Sequence, residues 1–431
     1  MPKRPGFLLI LCLLVILTIS TVASPVAVWS PQLIEWNRII QELTDTEFTP
    51  KTGIDVQIYT IPWSGFEQTY LLSAASGNVP EIGITSLLSS ADLGVRGVAV
   101  DLSLYGNDYQ EIKDQMYPGC VRAFEYKDNN FGLPMQMLLY PLLYRSDVIQ
   151  KLGIDVPKTW DELYIILPKL QASNRNFYTA FGFDEGQGDF LYVDASMFIW
   201  QNGGDWYNEE LTASGLDSKE SIAGFKAFTE LFTRRQIPKT AESFVGFREG
   251  DLPLMLSSMW QYATIKTAMP ELEGKWNLAL VPGTKTSDGT INHASYVGGM
   301  SFTLFKDADR VDDAFVWLKW FLSPEIQGKM AQRVANEVPG TIFLPANLKA
   351  LNEIPIPKEH VSVVLSQART AKAPAYALLP ESAAQRLINF AAYETVIEGK
   401  NAEESIRKAA KKMTLDLQQK QKDYVRFIEK L

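Results

Sequence analysis

The sequence predicts an α/β chain arranged as two lobes, and three observations lead there. The chain opens as strand, helix, strand. Residues 27–29 are a short apolar strand, and Trp36, Ile39, Ile40 and Leu43 fall at i, i+3, i+4 and i+7 on one helical face. Residues 54–61 then alternate as IDVQIYTI, which closes a β-α-β unit of a parallel sheet. Second, 431 residues exceed one ordinary core and fit two domains or one large α/β unit. Third, residues 131–170 restart the pattern with an apolar strand, a short helix and a second, well-capped helix.

Residues 1–23 read as a targeting segment. Lys3 and Arg4 give a positive start, residues 7–19 an apolar core, and Thr21-Val22-Ala23 a small-residue cleavage site. The apolar run is shorter than the roughly 20 residues a membrane span needs. Export as a cleaved protein beginning at Ser24 is therefore expected over a lipid anchor on Cys12, which lacks the small residues that precede a lipidated cysteine. Removing Lys3 and Arg4 takes the net charge from −9 to −11. A pI near 5.1 argues against a nucleic-acid partner. Cys120 is then alone in the mature chain, so no internal disulfide can form. His293 and His360 stand far apart without a cysteine partner, so neither a metal nor a cofactor site is expected.

After the opening unit comes Pro62-Trp63-Ser64-Gly65-Phe66. Ser64 and Glu67 have capping-box spacing for a helix running to Ala75, and Trp63 precedes that cap. Gln68 occupies the position a hydrophobic staple would need, so Trp63 is free to serve as an aromatic platform at a cleft mouth or to pack in the core. Residues 82–84 are a strand, with Thr85 and Ser86 at its carboxyl end. Ligands of open α/β sheets bind at that end, so both hydroxyls are candidate contacts, or else simple helix caps.

Within 131–170, Gly132-Leu133-Pro134 breaks the preceding segment and 135–144 is an apolar run of strand length. Thr159 and Glu162 form a capping box ahead of Trp160, Leu163, Tyr164, Leu167 and Leu170, and Pro168 is expected to kink or end that helix. Residues 177–183 alternate as a strand, 190–200 are helical, and Asn202-Gly203-Gly204 ends that helix. A helix over 217–232 starts at Asp217-x-x-Glu220. Ser323-Pro324 starts another, and 383–431 is helical with a cap at Asn401 and Glu404.

The order of these segments resembles the extracellular solute-binding proteins of ABC importers, the carbohydrate-binding group. The segments are G-LP, LLY-R-D and L-G-D-VP-TW-EL within 131–170, the SG–PE turn at 76–81, the N-GG-D close at 202–205, the F–G…S-M-W stretch at 247–260, and GG at 298–299. Tyr144-Arg145 stands where the family usually has Tyr-Asn, and Ser257-Ser258-Met259-Trp260 lacks the family's glycine. The resemblance implies a type II periplasmic-binding-protein fold, two hinge-linked lobes with a ligand cleft between them. Lobe one is expected over 24–133 plus 296–338, and lobe two over 134–295 plus 339–431. It implies a periplasmic or extracellular monomer that hands a sugar or oligosaccharide to the permease subunits of an ABC importer. Trp260 falls where the family stacks a sugar, Asp194 where its second-lobe contacts lie, and Tyr296 beside the return crossing at Gly298-Gly299. Gln136 is a further candidate polar contact. Trp63, Thr85, Ser86, Gln136, Asp194, Trp260 and Tyr296 make up the expected site.

Motifs of nucleophilic hydrolases, nucleotide binders and zinc proteases are absent. Glycoside hydrolysis needs only two carboxylates, so an exported glycosidase is the enzymatic alternative, and a sensing module without transport is a third.

Overall fold

The computed structural model describes residues 24–183 and 188–429, so the targeting segment lies outside the described residues. Two sheets organise it. Their strands, numbered in chain order, are β1 (Val26–Pro31), β2 (Val56–Ile61), β3 (Ile82–Ser86), β4 (Leu133–Leu139), β5 (Leu142–Tyr144), β6 (Phe177–Tyr178), β7 (Leu254–Leu256), β8 (Asn277–Ala279) and β9 (Val297–Leu304). The first sheet has the order β2-β1-β3-β9-β4 and the second β8-β5-β7-β6. β1 runs parallel to β2 and β3, while β9 is antiparallel to both β3 and β4. Thus β1, β2, β3 and β4 all point the same way, and their carboxyl ends share the edge that faces the second sheet.

The chain passes from one sheet to the other at Tyr140-Pro141, between β4 and β5. The expected switch at Pro134 lies six residues too early, because Pro134 pairs with Ser301 inside the first sheet. The chain returns to the first sheet with β9, which begins at Val297. A third switch at 338–340 is not seen: Met137 donates to the Leu344 carbonyl at 3.0 Å, and Gln136 bridges Pro345. Residues 342–347 are therefore laid along β4. The chain reaches the second core through the helix Glu381–Val396, whose buried face joins those of Leu191–Gln201 and Ala402–Asp423.

Local chemistry explains most helix limits. Thr159 accepts from the Glu162 N–H at 3.2 Å, as its spacing predicts, and Asn401 caps Glu403 and Glu404. Pro168 does not end its helix, which runs Trp160–Ala172 with the proline inside. The helix expected from Asp217 starts at Lys219, with Ser218 as its cap. Ser64 caps nothing: Gly65 takes the N-cap position with φ 75°, and Glu67 turns elsewhere. Gly299 meets a sharper demand, with φ 142° and a β-carbon position only 2.2 Å from the Gln136 carbonyl oxygen, where no side chain fits.

Arg145 explains its departure from the family's asparagine. Nearly buried, it donates to the Phe247 and Arg248 carbonyls at 2.9 and 2.7 Å, the last turn of the helix Ser243–Glu249. Its remaining nitrogens pair with Asp147. A cation at a helix carboxyl end satisfies carbonyls that have no helical partner. Arg145→Met should lower the unfolding free energy by about 2 kcal/mol, the usual cost of stranding buried partners of a charged hydrogen bond. Urea denaturation measures it, and an unchanged midpoint would contradict this role.

Candidate binding site

The site grows from the carboxyl edge of the first sheet. Ser86 is the last residue of β3, and alternation along the strand sends its hydroxyl away from that of Thr85. Ser86 donates to Glu67 Oε1 at 2.6 Å, and Ser89, one turn on, donates to the same oxygen. Glu67 stands in the first turn of the helix Phe66–Ser76. Facing it across a hollow of about 260 Å³ is the first turn of Glu381–Val396, with Glu381 and Gln385. Glu381 accepts from Gln385 at 2.8 Å, from the Tyr296 hydroxyl at 3.3 Å, and from the Leu88 N–H. Burial, and then the nearby Glu67 charge, push its carboxyl up to about 7. The lining contains no lysine or arginine.

Behind Glu381 lies an aromatic floor. Tyr296 stacks on Trp200 at 5.8 Å and meets Tyr192 and Tyr140 edge-on at 5.5 and 6.3 Å. Tyr140 continues to Phe181, which stacks on Phe190 at 5.1 Å. Tyr140 and Tyr296 lie in the crossing segments, Phe181 in the loop after β6, Phe190 and Tyr192 at the amino end of Leu191–Gln201 and Trp200 at its carboxyl end.

The expected site residues separate into two groups. Ser86 lines the hollow, and Tyr296 reaches it through Glu381. Trp63 is half exposed, four residues before Glu67, with its ring 5.7 Å from Phe66, and is not part of the hollow's lining. Thr85 does not face it: fully buried, its hydroxyl is shared among Ser90, Ser301 and Thr303. Gln136 is buried in mid-strand between β9 and residue 345, away from the hollow. Asp194 is fully buried and accepts from the Ala180 and Phe181 N–H groups at 3.1 and 3.0 Å. It therefore holds the loop that carries Phe181, and burial raises its own carboxyl to about 7. Trp260 stacks on Trp36 and does not line the hollow.

Sequence reasoning missed Glu67 as a contact, along with Ser89, Glu381 and Gln385. Glu67 was visible only as half of a capping box, and Glu381 lies just ahead of the helix expected from residue 383. A larger hollow of about 680 Å³ is lined in part by Arg122, Asp205 and Lys372, with Arg122 paired to Asp205 at 2.8 Å and Lys372 to Asp205 at 3.6 Å. Among the described residues no group of His, Cys, Asp and Glu side chains could hold a metal ion, and no helix is long and apolar enough to cross a membrane.

Comparison with known proteins adds three findings. The family model for bacterial extracellular solute-binding proteins matches residues 30–328. The maltotriose-binding protein of Pyrococcus abyssi is 24% identical over 321 residues, covering 73% of this chain and 65% of that protein. A periplasmic-binding protein of Sinorhizobium fredii, named for an amino-acid ABC transporter, is 25% identical over 298 residues, 66% of each. The matches thus span just under two thirds of either relative. In three dimensions the chain is similar to the sugar-binding protein MalE of Xanthomonas citri, with a TM-score of 0.79 and 16% identity over 93% of this chain and 99% of that one. That likeness bears out the two-lobed α/β fold.

The raised Glu381 carboxyl makes stability depend on pH. A carboxyl whose folded value lies above its unfolded value, here 4.5, contributes stability that is complete below that value and lost as pH rises through about 7. Asp194 acts in the same direction. The melting temperature should fall between about pH 5 and 8, and Glu381→Gln should flatten that fall. Scanning calorimetry across this range is the check; equal slopes in wild type and variant would contradict it.

Proposed function

The chain belongs to the bacterial extracellular solute-binding protein family, and from that premise we propose that it captures an uncharged, hydroxyl-rich solute, a sugar or short oligosaccharide. The observation that carries this reading is the lining of the cleft. Glu67 from one lobe and Glu381 from the other offer acceptors to hydroxyl donors, Asp92, Ser86, Ser89 and Gln385 add further polar groups, and Tyr376 lines the same hollow. An amino-acid ligand, as the name of the Sinorhizobium relative would imply, carries a carboxylate. The hollow has no basic side chain to receive one.

The working cycle follows from the architecture. A solute held between lobes touches both, so it stabilises the closed form by its differential affinity. The closed monomer, exported to the periplasm or the cell exterior, delivers the solute unaltered to the permease of an ABC importer. Tyr296 holds Glu381 from behind through its hydroxyl. Nucleic acid has no part in this cycle, and the glycosidase alternative is not favoured by the family.

A thermal-shift screen of the mature protein against neutral sugars, sugar phosphates and amino acids tests the reading. A cognate sugar at 100 times its dissociation constant should add roughly 2.7 kcal/mol of stability. Stabilisation by amino acids or sugar phosphates alone would contradict it.

A further inference from the structure

The helix Ala402–Asp423 belongs to the second lobe. Its buried face, which includes Ile406, Ala410, Met413 and Leu417, packs with the helices Lys219–Thr233 and Glu381–Val396. Thr414 on the same helix accepts from the Ser214 N–H at 3.0 Å. The residues that follow leave this lobe. Tyr424 is 5% exposed, and the Arg96 guanidinium lies over its ring at 5.0 Å. The Ile428 carbonyl accepts from Lys127 Nζ at 3.4 Å, and Phe427 lines a hollow with Val95, Asp101 and Phe131. Arg96, Lys127 and Phe131 all lie between β3 and β4, in the first lobe. Residues 424–428 therefore run from one lobe onto the other.

The grip at Tyr424 leads to the binding hollow. Arg96 follows the helix Ser89–Val95, whose amino end carries Ser89 into the lining. Arg96 Nε donates to Asp92 Oδ2 at 2.7 Å, and the Tyr376 hydroxyl donates to Asp92 Oδ1 at 2.7 Å. Asp92 and Tyr376 both line the hollow that holds Glu67 and Glu381. Both carboxylate oxygens of Asp92 are thus fixed, one of them by a cation that is itself held against an aromatic face. We propose that residues 424–428 form a strap between the lobes, and that Tyr424 is a positioning residue for the binding site, acting through Arg96 on Asp92. This deepens the sugar reading above and rests on it. The strap's contacts need the lobes to sit as they do here, with Glu67 and Glu381 facing each other, so they favour this arrangement over a more open one. A solute that must touch both lobes then meets them already brought together, and its apparent affinity rises with that population.

Scattering and titration of the mature chain test this. Ending the chain at Asp423 should enlarge the radius of gyration of the unliganded protein, a readout that needs no sugar, and Tyr424→Ala should do the same. Both should weaken binding of whichever of arabinose, maltose and maltotriose the wild type takes up, by about tenfold, mostly through faster release. Tyr424→Phe keeps the ring and should bind as wild type does. Arg96→Gln should lose as much affinity as Tyr424→Ala, and the double variant no more than either alone. The proposal is overturned if Tyr424→Ala, folded, keeps the wild-type radius, or if it melts earlier but binds within about threefold of wild type. Equal weakening in Tyr424→Phe, or additive losses in the double variant, would overturn it too. Tyr424→Ala carries the test if the shortened chain does not fold. A folded wild type that binds none of the three sugars overturns the sugar reading instead, and the radius of the unliganded variants still judges the strap.

Discussion

Two carboxylates from opposite lobes share one small cleft, and that constraint orders much of what surrounds it. Glu67 is held by Ser86 and Ser89, and Glu381 by Gln385, Tyr296 and Leu88. Like charges brought together out of water cannot both stay ionised without compensation. Burial first, and then the Glu67 charge, raise the Glu381 carboxyl to about 7. Hydroxyl donors compensate such a pair by hydrogen bonding. A solute rich in donors is then favoured over an anion on electrostatic grounds alone.

The rest of the fold supplies the positions. Carboxyl ends of β1, β2, β3 and β4 share one edge, which brings Trp36, Trp63 and Ser86 to the same side of the first lobe. The second lobe answers with the amino ends of Leu191–Gln201, Met259–Ala268 and Glu381–Val396. Asp194 and Arg145 touch nothing in the hollow; one holds the Ala180-Phe181 loop and the other the end of Ser243–Glu249. Asp194 resembles a site residue in sequence because structural burial and ligand contact draw on the same side chains.

The architecture was legible because its signals are local. The opening β-α-β unit, the Thr159 and Asn401 caps and the return at Gly298-Gly299 each depend on a few neighbouring residues. Side-chain direction and long-range partners were not legible. Strand-end reasoning selected Thr85 and Ser86 together, yet alternation turns only Ser86 toward the cleft. Capping-box spacing named Ser64 and Glu67, but a left-handed Gly65 and hydroxyls nineteen and more residues away decided the outcome. Trp260 lies at the expected place in the chain, while its ring partner, Trp36, is more than two hundred residues distant. Pro134 breaks the preceding segment as its chemistry requires, but sheet pairing carries β4 on to Leu139 before the chain changes lobes.

The central claim is that a neutral solute bridges the lobes and draws them together. Small-angle X-ray scattering of the mature protein, alone and saturated with the sugar that most raises its melting temperature, tests it most directly. A smaller radius of gyration in the bound form is the predicted result, and an identical radius at saturation would contradict it.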